Sequence, residues 1–439
     1  MGNSAGRKTV LFVLLAFGLV FAFGGASMAA THTVNPGDDA AAINTVIAGA
    51  VPGDTIVFND GTYNLASRIE VEVDGLTLQS ETTGGARIIA ANYPVVSVGD
   101  NIGISIDGLY FEADDDGIDE CIYFGGGSPA SPVTITNCTF VDFTGYTIEA
   151  TSWDSMKWDF TVTGNTFRRC VEGVYVEDFE ECTVDVSDNT FENCTDYAME
   201  IGNMGMNGST MTITISGNTI TADEGTDYYA GIYVGNVEGT THISNNTISG
   251  DLEYGIFINN IGEQGGSRVS AFIEKNEIRV DGTGMNLGNL FPSVAGDLTI
   301  RYNTIVTNAD DDEVRGIYID TFKDADSTVA IRDNNLIGDA AAASYGLATM
   351  AKVLIDAQGN WWGDASGPFD DHDTSLDLPD YNNPEGSGKR VSAYIDYQNW
   401  RTSAWEEEDD SSSGCSAGIL NPLFLLFLGP FAIFLRKSR

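Results

Sequence analysis

Proline is scarce in this 439-residue chain, with 11 in all, and basic side chains are scarcer than the length would suggest: 21 Lys and Arg stand against 64 Asp and Glu. Five of those basic residues, Arg7, Lys8, Arg436, Lys437 and Arg439, lie in the two end segments, so the body is more acidic than the formal net charge of −43 implies. Such a body repels nucleic acid and anionic membrane surfaces; it attracts cations and leaves neutral polymers as partners. Histidine occurs three times, at His32, His242 and His372, too scattered for a Ser-His-Asp arrangement to be read. Six cysteines include no C-x-x-C metal pattern. Phosphate-loop and dinucleotide fingerprints are missing too. Between the ends, Gly, Asn and Asp interrupt nearly every apolar run before a helix has room to form.

What is present is a repeat. Asn165-Thr166-Phe167, Asn189-Thr190-Phe191, Asn218-Thr219-Ile220 and Asn246-Thr247-Ile248 are followed by looser copies at Asn276, Asn303, Asn334-Asn335-Leu336 and Asn360. The spacings are 24, 29, 28, 30, 27, 31 and 26 residues. A fixed period of roughly 20–50 residues marks a solenoid whose coils are stable only when stacked. A second element keeps step: Gly173-Val174-Tyr175-Val176, Gly231-Ile232-Tyr233-Val234, Gly255-Ile256-Phe257-Ile258 and Gly316-Ile317-Tyr318-Ile319. A third short strand precedes each asparagine, as in Thr212–Ser216. Short, β-branched, alternating runs bounded by Gly, Asn and Asp read as strands. Three per coil with no helix between them give an all-β, single-stranded parallel β-helix of roughly 11 coils. Crossover chirality makes it right-handed, and stacking at ~4.8 Å per coil makes it on the order of 50 Å long. The recurring asparagine is expected at one corner, tolerating a left-handed turn and hydrogen-bonding to the coils above and below.

In chain order, residues 1–30 read as a signal peptide: Arg7 and Lys8, an apolar run Val10–Phe23, then a small-residue exit around Gly25–Ala30. Residues 31–51 form an N-terminal cap. Its 38–50 segment reads as a short amphipathic helix, N-capped by Asp38, with Ile43, Val46 and Ile47 on one face. The β-helix is expected over 52–362 and a C-terminal cap over 363–405. An acidic and Ser-rich linker follows at 406–414 and a tail at 415–439. Within this frame, Ala42-Ile43-Asn44, Pro52–Val57 and Asp60-Gly61-Thr62-Tyr63 resemble the opening of pectin-lyase-like right-handed β-helix proteins. Gly359–Pro368 is similar to the terminal coil of NosD-like and related carbohydrate-binding β-helices. The resemblance covers roughly 34–400 and implies fold; the family includes lyases, hydrolases, adhesins and binding proteins, so activity stays open.

The tail joins Ser413–Gly418, an apolar run Ile419–Leu435 and a basic end. It resembles the three-part bacterial C-terminal sorting signals, most closely the Cys-bearing Synergist-type tail. That resemblance implies action of a sorting peptidase near Cys415 and display on the cell envelope; a plain C-terminal membrane anchor is the alternative. The other five cysteines, Cys121, Cys138, Cys170, Cys182 and Cys194, fall within 74 residues. Cys170 and Cys194, each three residues after a repeat phenylalanine, are expected in neighbouring coils, as a disulfide or as stacked free thiols. Acid runs at Asp114, Asp115, Asp116, Asp119 and Glu120, and again at Asp310–Glu313, are candidates for calcium or plain solvated loops.

Within each Gly-apolar-X-apolar strand, alternation sends X outward. Alignment of the coils gives X as Tyr123, Glu149, Tyr175, Glu200, Tyr233, Phe257, Asn286 and Tyr318, an outward stripe suited to sugar rings. Glu149 and Glu200 flank Tyr175 two coils apart. No lyase motif surrounds the adjacent basic pair Arg168-Arg169. The reading is a monomeric, surface-displayed, non-catalytic β-helix that binds carbohydrate, as a polysaccharide or cell-surface glycan, or another cell-surface partner, with calcium the one candidate cofactor. The alternatives are a polysaccharide-degrading enzyme, hydrolase before lyase, or a structural spacer.

Overall fold

Among the described residues, alternating short runs produce 38 strands and a single α-helix. The computed structural model describes residues 29–406 apart from 92, 115–116, 152–156, 206–210, 226–227, 263–267, 308–313, 323–325, 339–343 and 376–378. The signal-peptide reading and the tail with Cys415 lie essentially outside the described residues, as do Asp115, Asp116 and the Asp310–Glu313 run. Among the described residues no helix is long and apolar enough to cross a membrane.

The strands take three positions in turn. The first sheet has 14 strands, the second 11 and the third 13, and strands three apart in sequence pair within each sheet. Every such pairing is parallel, as in Thr183↔Thr212, Phe167↔Phe191 and Tyr175↔Glu200. The chain is therefore a right-handed parallel β-helix of about eleven turns, one second-sheet strand to a turn. Inward-facing residues stack into apolar columns. One column in the second sheet runs Phe111, Phe140, Phe167 and Phe191, with successive ring centroids 5.4, 4.9 and 4.6 Å apart and near-parallel planes; Ile220, Ile248, Ile278 and Ile305 continue it. All these residues are fully buried.

The predicted corner is present, and its chemistry is more regular than the sequence suggests. Asn165, Asn189, Asn218, Asn246, Asn276, Asn303, Asn334 and Asn360 are all buried where the first sheet turns into the second. In each step the backbone N–H and the Nδ2 of one asparagine donate to the Oδ1 of the next, at 2.8–3.1 Å from Asn165 to Asn360. Each Nδ2 also donates to a first-sheet carbonyl of the preceding coil, as Asn246 does to Ile215 at 3.0 Å. Cys138 takes the place one coil earlier, its N–H donating to Asn165 Oδ1 at 2.8 Å. One expectation is corrected: the left-handed residue is not the ladder asparagine but the one before it, Gly164, Asp188, Gly217, Asn245, Lys275, Tyr302, Asp333 or Gly359. That residue makes the bend, which frees the asparagine to hydrogen-bond along the stack.

The first helix, α1 (Ala40–Ala48), covers the open end. It is capped by Asp39, whose side chain accepts from Ala42 N–H, and not by Asp38; Asp38 instead accepts from Asn35 N–H in the preceding turn. Ile43 and Ile47 are buried, with Val46 packed partly beside them. Asn44 extends the third sheet's edge, accepting from Glu70 N–H at 2.9 Å and donating to Arg68 O at 3.2 Å. An exposed sheet edge would otherwise offer unpaired backbone groups to other chains. Strand pairing begins at Thr31–Val34 against Thr55–Phe58 and runs on to Ile395–Asp396.

The five described cysteines are free and buried. Burial raises the thiols of Cys121, Cys170 and Cys194 above the ordinary value, so they behave as small apolar core groups.

Candidate functional site

The outer faces of the three sheets differ in chemistry. On the first and second, acids and bases face each other across neighbouring coils. Arg87 pairs with Glu112, Arg168 with Glu192 at 2.7 Å, Arg301 with Glu274 at 2.7 Å and Arg332 with Asp356. An open cleft near the start of the first sheet, lined by Pro132, Lys157, Asp159, Glu181 and Thr183, follows the same pattern, with Lys157 paired to Glu181.

The third sheet carries the stripe. Register pairs Tyr123 with Glu149, Glu149 with Tyr175, Tyr175 with Glu200, Glu200 with Tyr233 and Tyr233 with Phe257. Phe257 then meets Asn286 and Asn286 meets Tyr318. All eight predicted stripe residues stand half-buried in one column. At Tyr318 the character changes, because the Arg315 guanidinium lies 4.6 Å over its ring.

A second outward column, three residues before the first, was not read from sequence. Tyr146 pairs with Glu172, and Ala230 with both Tyr197 and Tyr254. Strict alternation would turn these positions inward. Tyr146, Tyr197 and Tyr254 are half-exposed all the same, because two consecutive buried residues follow each of them (Thr147-Ile148, Ala198-Met199 and Gly255-Ile256) and break the alternation; at Gly173 and Gly255 no side chain fits, since a Cβ would lie 2.4 Å from Ala198 O and 2.7 Å from Gly284 O. The signal was in the repeat itself, as the pairs Glu172-Gly173, Tyr254-Gly255 and Tyr197-Ala198.

Together the two columns make an aromatic and acidic face. The Tyr146 and Tyr175 rings stack at 4.2 Å. Tyr197, Tyr229, Tyr233, Tyr254 and Phe257 form a connected group with centroids 5.1–6.1 Å apart. Among these rings lie Glu149, Glu172, Glu177, Asp196 and Glu200. Burial, then Glu120, pushes the Glu149 carboxyl up to about 7. Burial, then Glu177 and Asp196, raises Glu200 to about 7. Glu172 goes to about 8, through burial and then the charges of Glu200, Asp196, Glu177 and Glu149. Glu177 accepts from the Tyr175 hydroxyl at 2.7 Å and from Asn203 Nδ2 at 3.3 Å. Glu172 Oε2 is buried with no hydrogen-bond partner among the described residues. Raised carboxyls in a group, held by neighbours rather than by bases, are a property of functional surfaces more than of plain solvated ones.

Beside this face runs a further ladder: Asn236 Nδ2 donates to Asn203 Oδ1 at 2.8 Å, and Asn289 Nδ2 to Asn260 Oδ1 at 2.9 Å. It fixes the turn that bounds the face.

Of the calcium candidates, Asp119 accepts from Thr144 Oγ1 at 3.1 Å and the Glu120 carboxyl is raised by burial and Asp119. Among the described residues no group of three or more His, Cys, Asp or Glu is arranged to hold a metal ion.

Comparison with known proteins agrees with the architecture. Residues 96–267 match the family described as the right handed beta helix region. No curated protein matches the sequence. The A-module of the mannuronan C-5 epimerase AlgE6 from Azotobacter vinelandii is similar over 74% of this chain and 91% of its own, at 14% identity and a TM-score of 0.46. The DFA-IIIase of Arthrobacter chlorophenolicus A6 in complex with GF2 is similar over 75% of this chain and 94% of its own, at 13% identity and 0.39. The PL6 family alginate lyase AlyGC is similar over 76% of this chain and 40% of its own, at 13% identity and 0.30. At these values nothing about the chemistry of this chain follows from theirs.

Proposed function

We propose that this chain binds carbohydrate, without cleaving it, along the outward face of the third sheet. The observation that carries the reading is the column from Tyr123 to Tyr318, where half-buried rings alternate with carboxyls in register as far as Tyr233 and continue as Phe257, Asn286 and Tyr318. Aromatic rings present flat apolar faces with polar rims, and a sugar presents C–H groups on one face with hydroxyls around it. A periodic face with one step per coil suits a polymer better than a compact ligand.

A second reading, glycoside hydrolysis, has one observation in its favour. Glu149 and Glu200 flank Tyr175 two coils apart, about 9.6 Å along the backbone, near the ~6.5–9.5 Å separation of an inverting pair. Against it, both carboxyls are pushed the same way, to about 7. An acid and its partner base need environments that drive their pKa values apart. A glycan array run with a reducing-sugar release assay on the full chain separates the readings. Binding without release is expected; release of new reducing ends overturns the non-catalytic reading.

A further inference from the structure

On the first and second sheets most arginines are matched to an acid in the adjoining coil. On the third-sheet face the acids have no such match. Glu120, Glu149, Glu172, Glu177, Asp196 and Glu200 have no ion-pair partner among the described residues. Placing like charges together in a half-buried site costs stability unless something of opposite sign joins them.

Glu172 shows that the site is built and not merely acidic. It is 7% exposed, and its Oε2 meets no donor. Its strand lies between those of Glu149 and Glu200, with Glu172 in register with Tyr146 and Tyr175 in register with both carboxyls. A buried carboxyl oxygen left without a partner costs stability, more if it is charged. The rings nearby point the same way. Tyr146, Tyr175, Tyr197 and Tyr233 present π-faces and hydroxyls around the carboxyls, an arrangement that attracts organic cations.

We infer that the polysaccharide taken by this face bears protonated amino groups, as a chain of free hexosamine units does, and that the unpaired carboxyls from Glu149 to Glu200 receive them. The inference rests on the carbohydrate-binding reading and narrows it. A polyanionic glycan is repelled. A neutral one leaves the acids facing one another.

The test is calorimetric titration of the full chain with three probes of equal length: a glucosamine hexamer, its fully N-acetylated form and cellohexaose. The expected result is about tenfold or tighter binding of the amino hexamer. That preference should be lost in Glu149→Gln/Glu200→Gln, with the single Glu200→Gln as a milder variant. A charge-matched control, Glu112→Gln/Glu192→Gln on the second sheet, should retain it. Equal binding of the acetylated or neutral hexamer overturns the inference and leaves carbohydrate binding standing. Equal weakening in the control also overturns it, because the attraction is then diffuse. Failure of all three probes to bind overturns both.

Discussion

At the corner between the first and second sheets, eight asparagines are buried, and each amide is satisfied by the coil before and the coil after. On the outer face of the third sheet Glu172 is buried as well, and one of its oxygens meets nothing. The first region contains every partner its polar groups need, so its role is finished when the chain folds. The second gathers acids and rings at a cost to stability, and Glu149, Glu172 and Glu200 have no ion-pair partner there among the described residues. Polar groups that a fold completes internally are structural; Glu172 is one of several it leaves incomplete, Asp185 of the first sheet among them, and it is set apart by the acids and rings gathered around it. The salt-bridged faces of the first and second sheets belong with the asparagine corner, since Arg168 and Glu192 complete each other as the amides do.

Three substitutions sharpen this contrast. The largest effect is expected from Asn246→Ala. It removes the acceptor for Asn218 N–H and Nδ2 and the donor to Ile215 O, all buried. Each stranded group costs roughly 1–3 kcal/mol, so the thermal midpoint should fall by several degrees. Calorimetry showing an unchanged midpoint would mean that the ladder is incidental.

Glu172→Gln should act in the opposite direction. The folded-state value of about 8 lies above the ordinary 4.5. In acid the group is protonated in both states and contributes no difference. As pH rises from about 4.5 to about 8, the unfolded chain releases the proton and the folded chain retains it, so wild-type stability declines across that window. The variant lacks this loss. Its advantage should be absent near pH 4 and reach on the order of a few kcal/mol by pH 8. The facing groups that share the titration are Glu200, Asp196, Glu177 and Glu149, with Tyr146 beside them. Parallel stability profiles for the two proteins between pH 5 and 8 would remove the basis for calling Glu172 an unsatisfied group. The smallest effect belongs to Arg168→Ala. Its pair with Glu192 is exposed, so its loss should cost at most about 1 kcal/mol; a denaturation midpoint that moves more would make that face more than a solvated surface.

The corner was legible in sequence because one residue type recurs there at a fixed period and has a reason to stack. The stripe was legible because strands alternate: once Tyr175 and Glu200 were placed in one register, their direction followed. The column at Tyr146, Glu172 and Tyr197 was not legible, since alternation assigns it to the core. Two consecutive buried residues, as at Thr147-Ile148 and Ala198-Met199, break the alternation and return the position before them to the surface. The left-handed position was misassigned by one residue for a related reason. Asparagine suits both the turn and the ladder, and sequence alone does not say which of two adjacent residues does which. For Cys170 and Cys194 the sequence left a disulfide and free thiols equally open; in the folded chain both are free and buried.

The central claim is that the third-sheet face, and not another face of the solenoid, holds a glycan. The most direct measurement is titration of a bound oligosaccharide, chosen from the array, against the full-length wild type, Tyr175→Ala/Tyr233→Ala and Tyr110→Ala, with circular dichroism confirming the fold of each. Tyr110 is half-buried on the second sheet, beneath Arg87. Loss of binding in the double variant, with wild-type affinity in Tyr110→Ala, is the predicted result. Wild-type affinity in a correctly folded Tyr175→Ala/Tyr233→Ala protein would contradict the account.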